Sequence, residues 1–103
     1  MSSSEHSQSW TFLTNHTQVL LRIAQDPDIT LRNVAQLVGI TERAAQRIVA
    51  DLARAGIIER RRVGRSNHYL INRSAAMRHA AQAEHQVGPL IDLLRPKAEP
   101  DSR

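Results

Sequence analysis

The chain has 103 residues, of which 41% are hydrophobic, a composition that is ordinary for a single globular domain. It contains no cysteine, which excludes disulfides and thiolate metal ligands. No apolar run approaches the roughly 20 residues that cross a bilayer, so we expect no membrane partner. The polar N-terminal residues lack the basic and apolar segments of a secretory signal, and we therefore expect a cytoplasmic location.

The formal net charge is +4, and the positive charge is concentrated in one stretch. Residues 42–73 contain eight arginines against three acidic residues. The remainder of the chain carries six basic and seven acidic residues. Because a localised basic field attracts polyanions, this distribution favours a polyanionic partner for residues 42–73.

Polar sequences flank the part of the chain that we expect to fold. Residues 1–9 and residues 96–103 predict a disordered arm and a disordered tail, because they hold too few apolar residues to form a core. Between them we expect a main domain over residues 10–73. Residues 74–95 are predicted to form a C-terminal helical segment with a role in dimerisation.

Three helices are predicted in the first half of the chain. Thr14, Thr30 and Thr41 each precede an apolar pattern of helical spacing. A threonine hydroxyl at such a position accepts a hydrogen bond from a helix amide that has no other partner, so all three are candidate N-caps. The predicted helices span residues 15–25, residues 31–38 and residues 41–55. Gly39 and Gly56 supply the natural C-terminal stops of the second and third helices.

The sequence changes character after Gly56. Two β-capable runs, over residues 57–63 and residues 68–71, flank a turn that contains Gly64 and predict a β-hairpin. Residues 75–94 then read as a long helix, which Gly88-Pro89 is expected to kink or break. The predicted fold class is mainly α, with a three-helix core, a small hairpin and a C-terminal helix.

The predicted third helix has two contrasting faces at 100° per residue. Its inward face is apolar and consists of Ala45, Ile48, Val49 and Leu52. Its outward face consists of Arg43, Gln46, Arg47, Ala50 and Arg54. The second and third helices, joined by a short turn at Gly39-Ile40, have the layout of a helix-turn-helix, whose second helix enters the DNA major groove.

The residue types on the outward face suit base recognition. Arginine bonds bidentately to guanine and glutamine to adenine. We expect Arg43, Gln46 and Arg47 to read bases, because they lie in the first two turns of the helix. Arg54 lies later and is expected to meet phosphate. The alternative is a solvated, arginine-rich face on an ordinary helical domain.

Further phosphate contacts are expected at two other places. Thr30, Arg32 and Thr41 lie at helix starts, where hydroxyl, guanidinium and free N–H groups hold phosphates. The hairpin carries further candidates, which are Arg60, Arg61, Arg62, Arg65, Asn67 and His68. Repulsion among the four arginines is relieved if they straddle a phosphate backbone, or if Arg65 enters a narrow minor groove. The alternative is charge that protects the hairpin edge.

Residues 14–71 resemble the winged helix-turn-helix domain of MarR-type and ArsR-type bacterial regulators. The resemblance is carried by the turn Val38-Gly39-Ile40-Thr41, by the exit from Leu52 to Ile58, and by the wing, Val63-Gly64-Arg65 with Asn67-His68-Tyr69. It implies a homodimer that binds an inverted-repeat operator in double-stranded DNA and regulates transcription at the nucleoid. The segments that flank this domain are shorter than those of MarR proteins, and no effector is implied.

The C-terminal segment has an apolar seam with spacings of 3, 4, 3, 4 and 3. The seam consists of Met77, Ala80, Glu84, Val87, Ile91 and Leu94. Such a seam packs against another helix. We prefer a two-fold dimer interface built with Trp10, Phe12 and Leu13, which would place two recognition helices about one DNA turn apart. Packing against the first helix of the same subunit is the alternative.

No metal, cofactor or catalytic site is predicted. His79 and His85 are six residues apart, so on a helix they point about 240° apart and share no face. The chain contains no glycine-rich phosphate loop, metalloprotease motif or nucleophile elbow, and we expect it not to be an enzyme. The alternative function is a winged-helix module for protein or RNA contact. The outward face of the third helix has no aromatic anchor to favour it.

Overall fold

The computed structural model describes residues 11–95, which form four α-helices and one antiparallel β-hairpin. The elements are α1 (Asn15–Gln25), α2 (Leu31–Val38), α3 (Glu42–Arg54), β1 (Ile58–Val63), β2 (Ser66–Ile71) and α4 (Val87–Leu94). A short 3-10 helix, Ala80–Gln82, lies between β2 and α4. The predictions made for residues 1–9, for Trp10 and for residues 96–103 lie outside the described residues.

The three threonine caps are confirmed, and they explain where the helices begin. The hydroxyls of Thr14, Thr30 and Thr41 each accept from the amide three residues further on, at 3.0–3.2 Å. Gly39 ends α2 in the left-handed conformation, with φ of 87°, which a residue with a Cβ adopts only at a cost. The bounds of α1 and α2 agree with prediction, and α3 ends one residue before its predicted limit.

The core lies between α1, α2 and α3 and extends to the hairpin and α4. The apolar face predicted for α3 is confirmed, because Ala45, Ile48, Val49 and Leu52 are all buried. They meet Val19, Leu20 and Ile23 of α1 and Val34 and Ala35 of α2 in one cluster. The predicted fold class, a helical core with a small hairpin and a C-terminal helix, is confirmed.

The hairpin packs on the core through Tyr69, Ile58 and Ile71. Ile58 pairs with Ile71 and Arg60 pairs with Tyr69, and the strands turn at Gly64, whose φ is 63°. Tyr69 is only 2% exposed and belongs to the core cluster. Tyr69 and Ile58 therefore fix the base of the hairpin against the helices, whereas Val63, next to the turn, is 63% exposed.

The long helix predicted over residues 75–94 is wrong in its first half. Residues 75–86 form a loop, and α4 begins only at Val87. The Met77 amide donates to the His85 carbonyl at 3.0 Å, and the Val87 amide donates to the Ala75 carbonyl at 2.9 Å. These two bonds run across the loop and use groups that a continuous helix would need, so the predicted seam does not form.

Gly88 and Pro89 begin a helix where they were expected to interrupt one. Both lie in the first turn of α4, where a proline needs no amide partner. The Gly88 amide donates to the Arg73 carbonyl at 2.8 Å. A Cβ on Gly88 would lie 2.9 Å from that carbonyl oxygen, so the close approach of α4 to the end of β2 requires glycine.

Two residues predicted for a subunit interface are buried inside their own subunit. Val87 is 4% exposed and Ile91 is 1% exposed, and both join the core cluster. The prediction that they meet a second subunit is therefore wrong, and the alternative of packing within the subunit holds for them. Leu13, Met77 and Leu94 are partly buried against the same cluster. Leu93, at 78% exposed, and Phe12, at 91%, lie on the surface.

We expect Ile91→Ala to lower the free energy of unfolding by about 2–5 kcal/mol, because it leaves a cavity in the core. Leu37→Ala removes a side chain of similar size from an exposed position of α2, and should cost well under 1 kcal/mol. Urea denaturation at several protein concentrations measures both values. Two outcomes would contradict the burial of Ile91 within its own subunit. One is an equal loss of unfolding free energy in the two variants, and the other is a loss for Ile91→Ala that disappears when the protein is diluted.

Candidate nucleic-acid interface

The turn between α2 and α3 is short and tightly bonded, so it fixes the angle between the two helices. The amides of Gly39 and Ile40 both donate to the Ala35 carbonyl, at 2.8 and 3.0 Å. Thr41 then caps α3 directly. With its apolar face buried on α1 and α2, α3 presents its opposite face outward in one fixed orientation.

The outward face of α3 is exposed and carries uncompensated positive charge. Arg43, Gln46 and Arg47 are all exposed. Within residues 11–95, none of their side chains forms a hydrogen bond or an ion pair. Guanidinium and amide groups in this state keep all their donors available for an external acceptor. The structure thus brings together the three residues predicted to read bases.

Arg54 belongs to a different arrangement. Its guanidinium donates to Asp51 at 2.6 Å, and Asp51 also bonds to the His16 ring at 2.9 Å. His16 lies on α1, so this cluster joins α1 to the C-terminal half of α3. The spacing of Asp51 and Arg54 on one helix was visible in the sequence, whereas the contribution of His16, 35 residues away, was not.

The cluster also changes the acidity of its carboxyl group. The hydrogen bond from His16 and, next, the positive charge of Arg54 hold the pKa of Asp51 below its ordinary value, although partial burial acts in the opposite direction. Asp51 therefore stays charged in mildly acidic solution and keeps Arg54 partly neutralised.

The arginines of the wing, which is the hairpin of β1 and β2, fall into two groups. Arg60 and Arg62 share the face of Tyr69 by register, whereas Arg61 lies on the opposite face. Arg61 pairs with Glu59 at 3.3 Å. Arg60, Arg62 and Arg65 are exposed and form no ion pair within the described part of the chain, residues 11–95. These three are the wing cations available to an anionic partner.

His68 has a structural partner that the sequence did not reveal. Its Nδ1 lies 2.6 Å from the Asp28 carboxylate, and the neighbouring Tyr69 amide donates to the Pro27 carbonyl at 2.9 Å. Both bonds tie β2 to the turn between α1 and α2. His68 was predicted to contact phosphate; the structure shows its Nδ1 engaged in this anchor, and the phosphate contact stays a prediction. Asn67, half-buried, faces Arg62 across the hairpin.

The residues that were predicted to bind phosphate at helix starts are exposed at the N-terminal ends of α2 and α3. The oxygens of Thr30 and Thr41 accept the cap bonds, which leaves each O–H free to donate outward. Arg32 is exposed in the first turn of α2 and has no ion pair within residues 11–95.

The described residues contain neither a cluster of metal ligands nor a membrane-spanning helix. Over residues 11–95, no three His, Asp or Glu side chains are grouped so as to hold a metal ion. His79 instead caps the 3-10 turn, its Nδ1 accepting from the Ala81 amide at 3.0 Å. Within the same residues, no helix has both the length and the apolar character required to span a membrane.

Comparison with known proteins supports the class that the fold defines. Residues 13–59 match the family model described as winged helix-turn-helix DNA-binding. This segment runs from just before α1 through α3 into β1, so it includes the helix-turn-helix and the start of the wing. No curated protein and no solved structure gives a significant match.

The fold of the described residues is thus a winged helix-turn-helix. Over residues 13–59 the chain is similar to DNA-binding domains of this class, which makes DNA the partner supported by both sequence and structure. The exposed face of α3 lies within the matched segment. The Asp51 cluster lies there as well.

We expect the pKa of Asp51 to rise toward its ordinary value in the variant His16→Ala, because the hydrogen bond from His16 is the main cause of the shift. Arg54→Gln should raise it by less. NMR titration of the Asp51 carboxyl measures both. If Asp51 of the wild type titrated with the ordinary pKa of an aspartate, the contacts of Asp51 with His16 and Arg54 would be contradicted.

The sign of the stability effect follows from the lowered pKa. A carboxyl group whose pKa is lower in the folded state than in the unfolded state stabilises the fold at pH values above about 4. This contribution is lost as the pH falls through the folded-state pKa. The difference in free energy of unfolding between the wild type and Asp51→Asn should therefore shrink as the solution is acidified below about pH 4.

Proposed function

We propose that the protein is a sequence-specific transcriptional regulator of the MarR/ArsR type, which reads the major groove of double-stranded DNA with α3. The observation that carries this proposal is the face of Arg43, Gln46 and Arg47. These side chains are exposed, have no partner within residues 11–95, and are held on a helix whose other face is buried. Arginine and glutamine in the first two turns of such a helix suit guanine and adenine edges.

Contacts to the DNA backbone are assigned by charge and exposure. Arg60, Arg62 and Arg65 of the wing have no counter-ion in the described chain and are placed on phosphates or in the minor groove. Arg61 and Arg54 contribute less, because each already pairs with an acid of the same chain. Thr30, Arg32 and Thr41 bind phosphate at the helix starts.

The regulator acts as a homodimer on an inverted-repeat operator. The exposed Leu93 on α4 supports this, as do the partly buried Leu13, Met77 and Leu94 and the exposed Phe12. A two-fold dimer would set two copies of α3 about 34–36 Å apart, the repeat of the double helix. The proposed location is the cytoplasm, at the nucleoid.

The base-reading assignment is tested after a bound sequence has been selected from random duplexes. Arg43→Ala and Arg47→Ala should each lose about 1–3 kcal/mol of preference for that sequence over a scrambled duplex. Arg95→Ala, which removes the same charge at the end of α4, is the matched control and should change the preference little. Gel shifts at fixed salt measure the preference.

If the double variant Arg43→Ala plus Arg47→Ala retained its sequence preference, α3 would not be the recognition helix. Competition between duplex DNA, RNA and an acidic protein in the same assay tests the class of partner. Stronger displacement by RNA or by the acidic protein would favour the alternative, a winged-helix module for RNA or protein contact.

The wing should act on affinity without acting on sequence preference. Arg62→Gln and Arg65→Gln should weaken binding to specific and scrambled duplexes alike, and each should reduce the slope of log affinity against log salt by about 1. Arg61→Gln is the comparison within the same hairpin, and its smaller effect follows from its pairing with Glu59. An effect confined to one sequence would show that the wing reads bases.

A further inference from the structure

Ala50 is the apolar member of the outward face of α3, and it lies at the centre of that face. At 100° per residue, it is about 20° from Arg43, about 40° from Gln46 and about 60° from Arg47 around the helix axis. A single methyl group is therefore surrounded by three long polar side chains. The position of this methyl group gives it direct access to whatever the arginine face contacts.

The methyl group of Ala50 does not contribute to the core. Ala50 is half-buried, yet within residues 11–95 neither the core cluster nor the hydrophobic side chains packed against it include Ala50. A small side chain at the centre of the face also lets the backbone of α3 approach the floor of a groove closely. The longer side chains of Arg43, Gln46 and Arg47 then reach the bases on either side of it.

The chemistry of the major groove offers one good partner for an alanine methyl group. Thymine presents its C5 methyl group there, and alanine makes an apolar contact with it. The other three bases present hydrogen-bonding groups, with which an alanine side chain can form no hydrogen bond. Thymine is therefore the base that best matches the centre of this face.

We propose that Ala50 is a specificity-determining residue, whose methyl group contacts the C5 methyl group of a thymine in the bound sequence. The inference rests on the proposed function, in which α3 reads the major groove. Ala50 lies three residues beyond Arg47, which is about 4.5 Å along the helix, and successive base pairs are about 3.4 Å apart. The thymine therefore lies about one or two base pairs from the base that Arg47 binds.

The test uses the full-length protein and the duplex selected from random sequences. The base that Arg47 binds is the one whose preference is relaxed in Arg47→Ala. Each thymine is then replaced in turn by deoxyuridine, which keeps the base pair and removes only the C5 methyl group. In the wild type, the replacement about one or two base pairs from that base should weaken binding about three- to fourfold, the effect of one buried methyl group.

Two variants assign this effect to Ala50. In Ala50→Gly the same deoxyuridine replacement should leave the affinity almost unchanged, because the partner methyl group is gone. Ala44→Gly removes a methyl group from the same helix, about 120° away around the axis, and should keep the wild-type effect. Each effect is a ratio of two affinities measured on one variant, so a difference in folded fraction cancels. Ala50→Ser, a better helix former than glycine, also replaces the methyl group and should reduce the effect likewise.

The role of Ala50 would be overturned by a selected sequence with no thymine at that distance, or by a wild type that is insensitive to every deoxyuridine. An undiminished effect in Ala50→Gly and Ala50→Ser would overturn it as well. Failure of the proposed function gives a different result, which is a sequence preference that survives in the double variant Arg43→Ala plus Arg47→Ala.

Discussion

Burial of one face of α3 is the constraint on which the rest of the molecule depends. Ala45, Ile48, Val49 and Leu52 form a continuous apolar stripe, and α1 and α2 supply the surface that covers it. Because a helix is rigid, burial of one face fixes the direction of the other. The arginine face of α3 is therefore positioned by contacts made on the opposite side of the same helix. Within residues 11–95, the side chains of Arg43, Gln46 and Arg47 have no internal partner.

Two groups of polar contacts join structural elements at the edge of the helical core. The bonds among His16, Asp51 and Arg54 join α1 to α3, and the bond between His68 and Asp28 joins the wing to the turn before α2. These groups are partly exposed, and ion pairs near water contribute little free energy. These contacts tie β2 to the turn before α2 and partly offset the positive charge of Arg54, while the core supplies most of the stability.

The parts of the fold predicted correctly from sequence are those decided by neighbours along the chain. A threonine cap, a glycine stop and a helical stripe each depend on residues within a few positions, and α1, α2 and α3 agree closely with prediction. The error at residues 75–86 has a different origin, because that loop is closed by bonds such as Met77 to His85 and is followed by a glycine fitted against Arg73. The partners of His16 and His68, 35 and 40 residues distant, were equally invisible. For the proposed base-reading site, the residue types and their shared face were predictable, but their freedom from internal ion pairs required the structure.

Because α4 packs against the helical core, the folding unit extends beyond the wing to α4. Val87 and Ile91 fill space beside α1, so the chain completes its interior about twenty residues after the wing. A fragment cut at the end of β2 would keep every element of the helix-turn-helix and the wing, yet it would expose apolar side chains of α1 to water. We therefore expect the smallest piece that folds on its own to be larger than the helix-turn-helix and the wing, because α4 contributes to the same core.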